Sequence, residues 1–177
     1  MSKSQLKKEL ITFTREELVE VILNTYDSSK EAKEYFEFFI NPDADKLLEA
    51  KTQLIAKEIS RTRRGGYSKF RISHIRSVIK GFASFGVTSE YVARLMSSTI
   101  AMLTGHYRYY HYTETQTKGL LKLVADYIMY CDAHGMLQTA LDYINGLTHG
   151  DLGTAGMRKA IELAARDAIQ SAGGKLH

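Results

Sequence analysis

Apolar residues recur along this chain every three or four positions rather than at every second position. This spacing places them on one face of a helix and does not fit the alternation of a β-strand. Only one proline occurs in 177 residues, and proline breaks the interior of a helix. The pattern therefore predicts an all-α fold with no strand.

Capping residues and glycines mark the expected helix ends. Three segments have a serine or threonine followed three residues later by Glu or Gln, which caps a helix start: Thr14 with Glu17, Ser28 with Glu31, and Thr113 with Gln116. Helix ends are expected at Arg63-Arg64-Gly65-Gly66, at Gly86 and at Gly135. We predict eight or nine short helices packed as consecutive antiparallel hairpins, in a multi-helical bundle or a short stack resembling helical repeats.

The length of the chain, at 20.0 kDa, is that of one domain. All seven phenylalanines lie before residue 86, whereas the second half is richer in Ala, Gly and Met. We therefore predict a single all-helical domain over residues 1–177, with a candidate subdomain junction near residues 86–88.

The single cysteine, Cys131, excludes an intrachain disulfide. Helical spacing places it on the apolar stripe of Val124 and Ile128, so a buried and inert thiol is expected. No signal-like apolar run follows Met1, and no stretch approaches the roughly 20 apolar residues of a membrane span. We expect a cytoplasmic protein that does not enter a membrane.

Positive charge is concentrated in one segment, although the net charge is only +4. Residues 57–80 carry eight basic side chains and one acidic side chain, Glu58. Cations near a glycine-rich loop and an aromatic residue, as in 63–67, are typical of proteins that grip nucleic-acid backbones. The candidate anion or nucleic-acid contacts are Arg61, Arg63, Arg64, Lys69, Arg71, Arg76 and Lys80. The alternative is a solvated face, or one that pairs with the acidic first 56 residues.

Residues 82–95 have the glycine and apolar spacing of a helix-turn-helix, with a turn at Phe85-Gly86-Val87-Thr88. Bulky Phe82 stands where that motif usually has a small residue. The same sequence pattern is also typical of an ordinary helical hairpin. Both interpretations stay open.

A segment from His106 to Glu114 holds four of the eleven tyrosines. His106, His111 and Glu114 suggest metal ligands, but a metal site needs three or four ligands in suitable geometry, and we predict neither a metal nor a cofactor. Tyrosine is favoured at interfaces. The candidate partner surface is therefore Tyr107, Tyr109, Tyr110 and Tyr112, with packing at an interhelical junction as the alternative.

The N-terminal sequence resembles a family of small uncharacterised all-helical bacterial proteins, a domain of unknown function. The resemblance covers roughly the first quarter of the chain. It is carried by the strings Ser2-Lys3-Ser4-Gln5-Leu6-Lys7-Lys8-Glu9-Leu10, Glu16-Glu17-Leu18, Tyr26-Asp27 and Glu34-Tyr35-Phe36-Glu37-Phe38-Phe39-Ile40-Asn41-Pro42-Asp43. It implies a helical cytosolic protein and supplies no catalytic residues.

No nucleophile stands beside a base in a recognisable catalytic pattern. The sequence leaves open whether the protein is an enzyme and favours a non-enzymatic one. We predict a helical binding or scaffold protein that acts through a protein partner or self-association. The alternative is a nucleic-acid-binding module that uses residues 57–80 and the turn at 82–95. An enzyme or metal protein built on His106, His111 and Glu114 comes third.

Overall fold

A computed structural model describes residues 1–150 and 154–173. The chain forms two compact units, Met1–Asp43 (unit 1) and Ala44–His177 (unit 2). Nine helices occur in the described residues, which confirms the all-α prediction. The single domain expected over 1–177 stays a prediction, and the candidate junction at 86–88 lies within unit 2.

Unit 1 contains three helices: α1 (Lys3–Leu10), α2 (Arg15–Ser28) and α3 (Lys30–Ile40). The predicted capping box at the start of α2 is confirmed. The predicted cap of α3 is wrong by one residue, because Ser29 accepts the Ala32 N–H at 3.0 Å. Ser29 has the extended backbone that an N-cap requires, whereas Ser28 is the last residue of α2.

The helices of unit 1 leave their apolar side chains accessible. None of residues 1–43, all of which the structure describes, is buried. Helices α2 and α3 pack against each other. The large exposed apolar residues of this unit are Met1, Leu6, Ile11, Phe13, Val19, Val21, Ile22, Leu23, Tyr35, Phe39 and Ile40. Unit 1 thus has no buried core of its own.

Unit 2 contains the other six helices. They are α4 (Ala44–Ile59), α5 (Ile72–Ala83), α6 (Ser89–Tyr107), α7 (Glu114–Ala133), α8 (Leu137–His149) and α9 (Ala155–Gly173). The capping box of Thr113 with Gln116 at the start of α7 is confirmed. Gly86 and Gly135 have positive φ, as expected of glycines that end helices.

The core of unit 2 is built around α6 and α7. Helix α6 packs on α4, α5 and α7, while α7 also packs on α8 and α9. The predicted burial of Cys131 is confirmed. The largest fully buried side chains include Ile55, Ile75, Phe82, Leu95, Ile100, Leu103, Leu120, Ile128 and Ile161.

A short antiparallel hairpin follows α4, where the sequence predicts no strand. Helix α4 ends at Ile59, before the predicted stop, and strands β1 (Thr62–Arg63) and β2 (Tyr67–Ser68) pair with each other. Gly65 and Gly66 have φ of 82° and 75°, which glycine adopts without strain. These glycines therefore form the tip of a hairpin instead of a helix end.

None of the helices in the described ranges has the length and apolar character needed to cross a membrane.

Helices α5 and α7 cross closely at Gly119. A Cβ added to Gly119 would lie 2.5 Å from Cγ1 and 2.9 Å from Cγ2 of Ile72. No side chain fits at this distance, so the absence of a Cβ allows the start of α5 to rest on α7.

We expect Gly119→Ala to lower the free energy of unfolding by about 1 to 3 kcal/mol, because overpacking against Ile72 outweighs the gain in helix propensity. The matched control is Gly105→Ala in α6, where an added Cβ meets no atom within 4 Å. It should raise stability by about 0.5 to 1 kcal/mol. Urea unfolding followed by circular dichroism measures both variants, and equal effects would contradict the close crossing.

Candidate functional site

The hairpin is anchored at its base by Glu58 near the end of α4. This residue is buried, at 6% exposed. Arg61 Nη1 donates to both carboxylate oxygens, at 2.9 and 3.0 Å. Arg71 donates its backbone N–H at 2.8 Å and its Nε–H at 3.1 Å to Oε1. One carboxylate therefore joins the residue before β1 to the residue before α5.

The same contacts fix the ionisation of Glu58. Burial by itself raises the pKa of this carboxyl, but the hydrogen bonds from Arg71 and Arg61, together with the charge of Arg61, outweigh it. They lower the pKa to about 2. Glu58 is therefore charged at neutral pH, and Arg61 and Arg71 balance its charge.

The outer edge of the hairpin is held by the segment that connects α6 to α7. The Ser68 N–H donates to the His111 carbonyl at 3.0 Å, and the His111 N–H donates to the Gly66 carbonyl at 2.8 Å. Tyr67 and His111 form a parallel bridge. The structure thus brings together the basic segment and the tyrosine-rich segment, which the sequence singled out separately.

Cationic and aromatic side chains are exposed where these two segments meet. Arg63 and Tyr67 pair across the hairpin and so project from the same face. Tyr67 is 56% exposed, and its ring lies 5.4 Å from the His111 ring. Tyr109 is 75% exposed, with the Arg108 guanidinium 5.9 Å from its ring. We name seven exposed residues the basic–aromatic surface: Arg63, Arg64, Tyr67, Lys69, Arg108, Tyr109 and His111.

The other three tyrosines of the candidate partner surface pack inward. Tyr112 donates its hydroxyl to the Leu103 carbonyl at 2.8 Å and lies 3.1 Å from His106 Nδ1. Tyr110 stacks on His106, and Tyr107 meets Tyr112 edge to face. Burial raises the pKa of Tyr112 and lowers that of His106. Among the four tyrosines, Tyr109 is the one whose ring is mainly in solvent.

The three residues considered as metal ligands lie in different environments. His106 belongs to the aromatic cluster, His111 faces Tyr67, and Glu114 pairs with Lys118 at 2.6 Å. Within the described ranges, no group of three His, Cys, Asp or Glu residues could hold a metal ion.

The remaining candidate cations lie along α5. Arg76 forms an ion pair with Asp126 of α7, and Lys80 is exposed. Both line a groove of about 450 Å³ between α5, α6 and α7. The seven candidate contacts therefore separate into Arg61 and Arg71 on Glu58, Arg63, Arg64 and Lys69 on the hairpin, and Arg76 and Lys80 on α5.

The turn compared with a helix-turn-helix connects α5 to α6. Helix α6 buries one side against α4, α5 and α7, and its opposite side, which carries Glu90 and Arg94, is exposed. Near its start, Arg94 pairs with Asp45 at 3.5 Å. A helix that reads DNA in the major groove is held by cations that contact the phosphates, and the exposed side of α6 offers an acidic residue and an arginine that is already paired.

Sequence reasoning missed Glu58 as an anchor and His111 as a backbone partner. The signal for Glu58 was its position as the one carboxylate among eight cations in residues 57–80. For His111 the sequence offered no signal, because the hydrogen bonds come from its backbone and reach a distant segment.

The fold and this surface define an all-helical protein with a basic hairpin tied to an aromatic loop. The chain belongs to the family of unknown function DUF6155, whose model matches residues 1–149. Restricting the resemblance to the first quarter is wrong, because the match extends through α8 and includes both the hairpin and His111. No curated protein and no solved structure matches the chain.

We expect Glu58 to make stability depend on acid pH. Its folded-state pKa of about 2 lies below its usual 4.5. The stabilisation is therefore complete above about pH 5 and is lost as the pH falls toward 2. Glu58→Gln should lower the free energy of unfolding at pH 7 by about 1 to 3 kcal/mol, through the lost charged hydrogen bonds.

The measurement is urea unfolding of both proteins across this pH range. Wild type and Glu58→Gln should differ most at neutral pH and converge near pH 2. A constant difference between them at all pH values would show that the carboxylate charge does not anchor the hairpin.

Proposed function

We propose that this protein binds single-stranded nucleic acid through the basic–aromatic surface. The observation that carries the proposal is the meeting of the hairpin with the α6–α7 connection. That meeting sets the exposed Arg63 beside the exposed Tyr67, and it brings to the hairpin the connection that carries the exposed Arg108 and Tyr109. Single-strand binders combine these two elements, cations along the phosphate backbone and rings on which bases stack.

The electrostatics of the segment support this proposal. Between Glu58 and Glu90 the sequence has no carboxylate, and Glu58 is already occupied by Arg61 and Arg71. The exposed cations of the hairpin therefore have no acidic neighbour along this stretch to compete with phosphate.

A single strand is favoured over a duplex for two reasons. Exposed rings stack on bases that are unpaired, whereas the bases of a duplex are already stacked. The exposed side of α6 also carries Glu90, and its Arg94 pairs with Asp45, which speaks against docking of α6 on the phosphates that line a major groove.

We expect the double variant Arg63→Glu with Arg64→Glu to bind labelled oligouridine much more weakly than wild type. If both arginines contact phosphates, the slope of log affinity against log salt should fall by roughly 1.4, since each contact on a single strand contributes about 0.7. Fluorescence anisotropy across a salt series measures both quantities.

The matched control reverses Lys159 and Arg166, two exposed cations on α9. This variant has the same net charge as the hairpin variant, so it should bind like wild type if the surface is specific. Equal losses of affinity in both variants would show that binding depends on net charge and not on this surface. No binding by wild type at low salt would contradict the proposal outright.

A second candidate function is protein–protein interaction by self-association, and the observation that favours it is the exposed apolar surface of unit 1. A two-fold interface sets the same patch against itself, so an apolar patch meets an apolar patch. Charge supports the pairing of α1 with α2 and α3 of a second copy. Helix α1 carries three lysines and one glutamate, whereas α2 and α3 carry seven acidic and three basic residues.

We expect the protein to dimerise with rising concentration, and Leu23→Glu to shift it toward the 20.0 kDa monomer. A charge placed in an apolar interface must be desolvated without a partner, which weakens association. The control is Leu163→Glu on α9, because Leu163 and Leu23 are equally exposed at 56%. Light scattering over a concentration series measures the mass, and a constant 20.0 kDa for wild type would contradict self-association.

The bacterial origin and the cytoplasmic location expected from the sequence stay predictions. A non-enzymatic role is likewise part of this proposal, since both candidate functions act through binding.

A further inference from the structure

We infer that the base of the hairpin forms a pocket for a phosphate monoester, which in a bound strand is a terminal phosphate. This inference rests on the proposed nucleic-acid function, and it names the group that a separate part of the basic segment recognises.

An open cavity of about 610 Å³ lies beside the Glu58 anchor. Its polar lining comes from α4, from the residues just after it and from the start of α5. The lining residues are Leu54, Lys57, Glu58, Ser60, Arg61, Arg71 and His74. Lys57, Arg61 and Arg71 give this cavity three permanent cations against a single carboxylate.

The two arginines are held in place before any ligand arrives. The bonds to Glu58 use Nη1 of Arg61 and both Nε and Nη2 of Arg71. The contacts to Glu58 do not use Arg61 Nη2 or Arg71 Nη1, and the two side chains are 39% and 61% exposed. A guanidinium that is already oriented loses little side-chain entropy on binding an oxyanion.

The charge of the pocket selects among phosphate groups. Three cations and Glu58 leave a net charge near that which balances a phosphate monoester, which carries roughly −1.5 to −2 at pH 7. A backbone phosphodiester carries a single negative charge, so it leaves part of the positive charge of this pocket unbalanced. The pocket therefore favours the end of a strand over its interior.

The position of the pocket favours a strand end over free phosphate as the source. Arg61 directly precedes β1, and the Lys69 N–H donates to the Arg61 carbonyl at 2.8 Å. The pocket and Arg63 on the hairpin are two residues apart, roughly 7 Å at about 3.3 Å per residue. A strand bound by the pocket at its terminus therefore has the basic–aromatic surface within reach of its first nucleotides.

The test compares 5′-phosphorylated and 3′-phosphorylated oligouridine with the unphosphorylated strand of the same sequence, each measured by fluorescence anisotropy with full-length protein. We expect about tenfold tighter binding of a strand with a terminal phosphate, at one end or at both, and a preference near onefold in Lys57→Gln. Lys57 is exposed and makes none of the bonds to Glu58, so this variant leaves the anchor intact. The control Lys122→Gln, on the exposed face of α7, should keep the full preference.

Inorganic phosphate separates the two sources of the phosphate, because it should remove the preference while leaving the unphosphorylated strand bound. Equal affinity for both phosphorylated strands and the unphosphorylated strand would overturn the inference and leave the proposed function standing. No binding of any of the strands would overturn both.

Discussion

The candidate site depends on the hydrogen bonds that Arg61 and Arg71 donate to the buried carboxylate of Glu58. An isolated two-stranded hairpin is marginal in water, and here each strand has only two residues. Glu58 compensates by accepting hydrogen bonds from Arg61 on one side of the hairpin and Arg71 on the other. The backbone of His111 then supports the outer edge. Without these two supports, the exposed cations would lie on an unstructured loop.

The cations of residues 57–80 include some that pair with a carboxylate and others that are exposed on the hairpin. Arg61 and Arg71 are tied to Glu58, and Arg76 is tied to Asp126. Those on the hairpin tip project into solvent. This division follows from burial, because a buried carboxylate requires charged partners, whereas an exposed cation remains hydrated without one. Some charges of the basic segment thus hold its own fold, while the hairpin cations and the exposed parts of the Arg61 and Arg71 guanidinium groups remain accessible to a ligand.

The two units differ in how much of their apolar surface they bury. Unit 2 buries a continuous set of apolar residues around α6 and α7, and the glycine at 119 lets α5 approach α7 closely. Unit 1 has amphipathic helices but buries no residue. A segment of this size rarely supports itself without further burial. The physical need of unit 1 for a covering surface is the reason that association has a place beside the nucleic-acid proposal.

The helical fold and most helix starts follow from local patterns, because apolar periodicity and caps such as Thr113 with Gln116 act within four residues of the chain. Composition likewise identified the basic and tyrosine-rich segments. That these segments meet, that Tyr109 stays exposed and that Glu58 binds Arg71 became visible in the folded chain. Those contacts join residues far apart in the chain, and strands of two residues are too short for an alternating pattern. These contacts form only when the helices pack against one another, and no local sequence pattern specifies that packing.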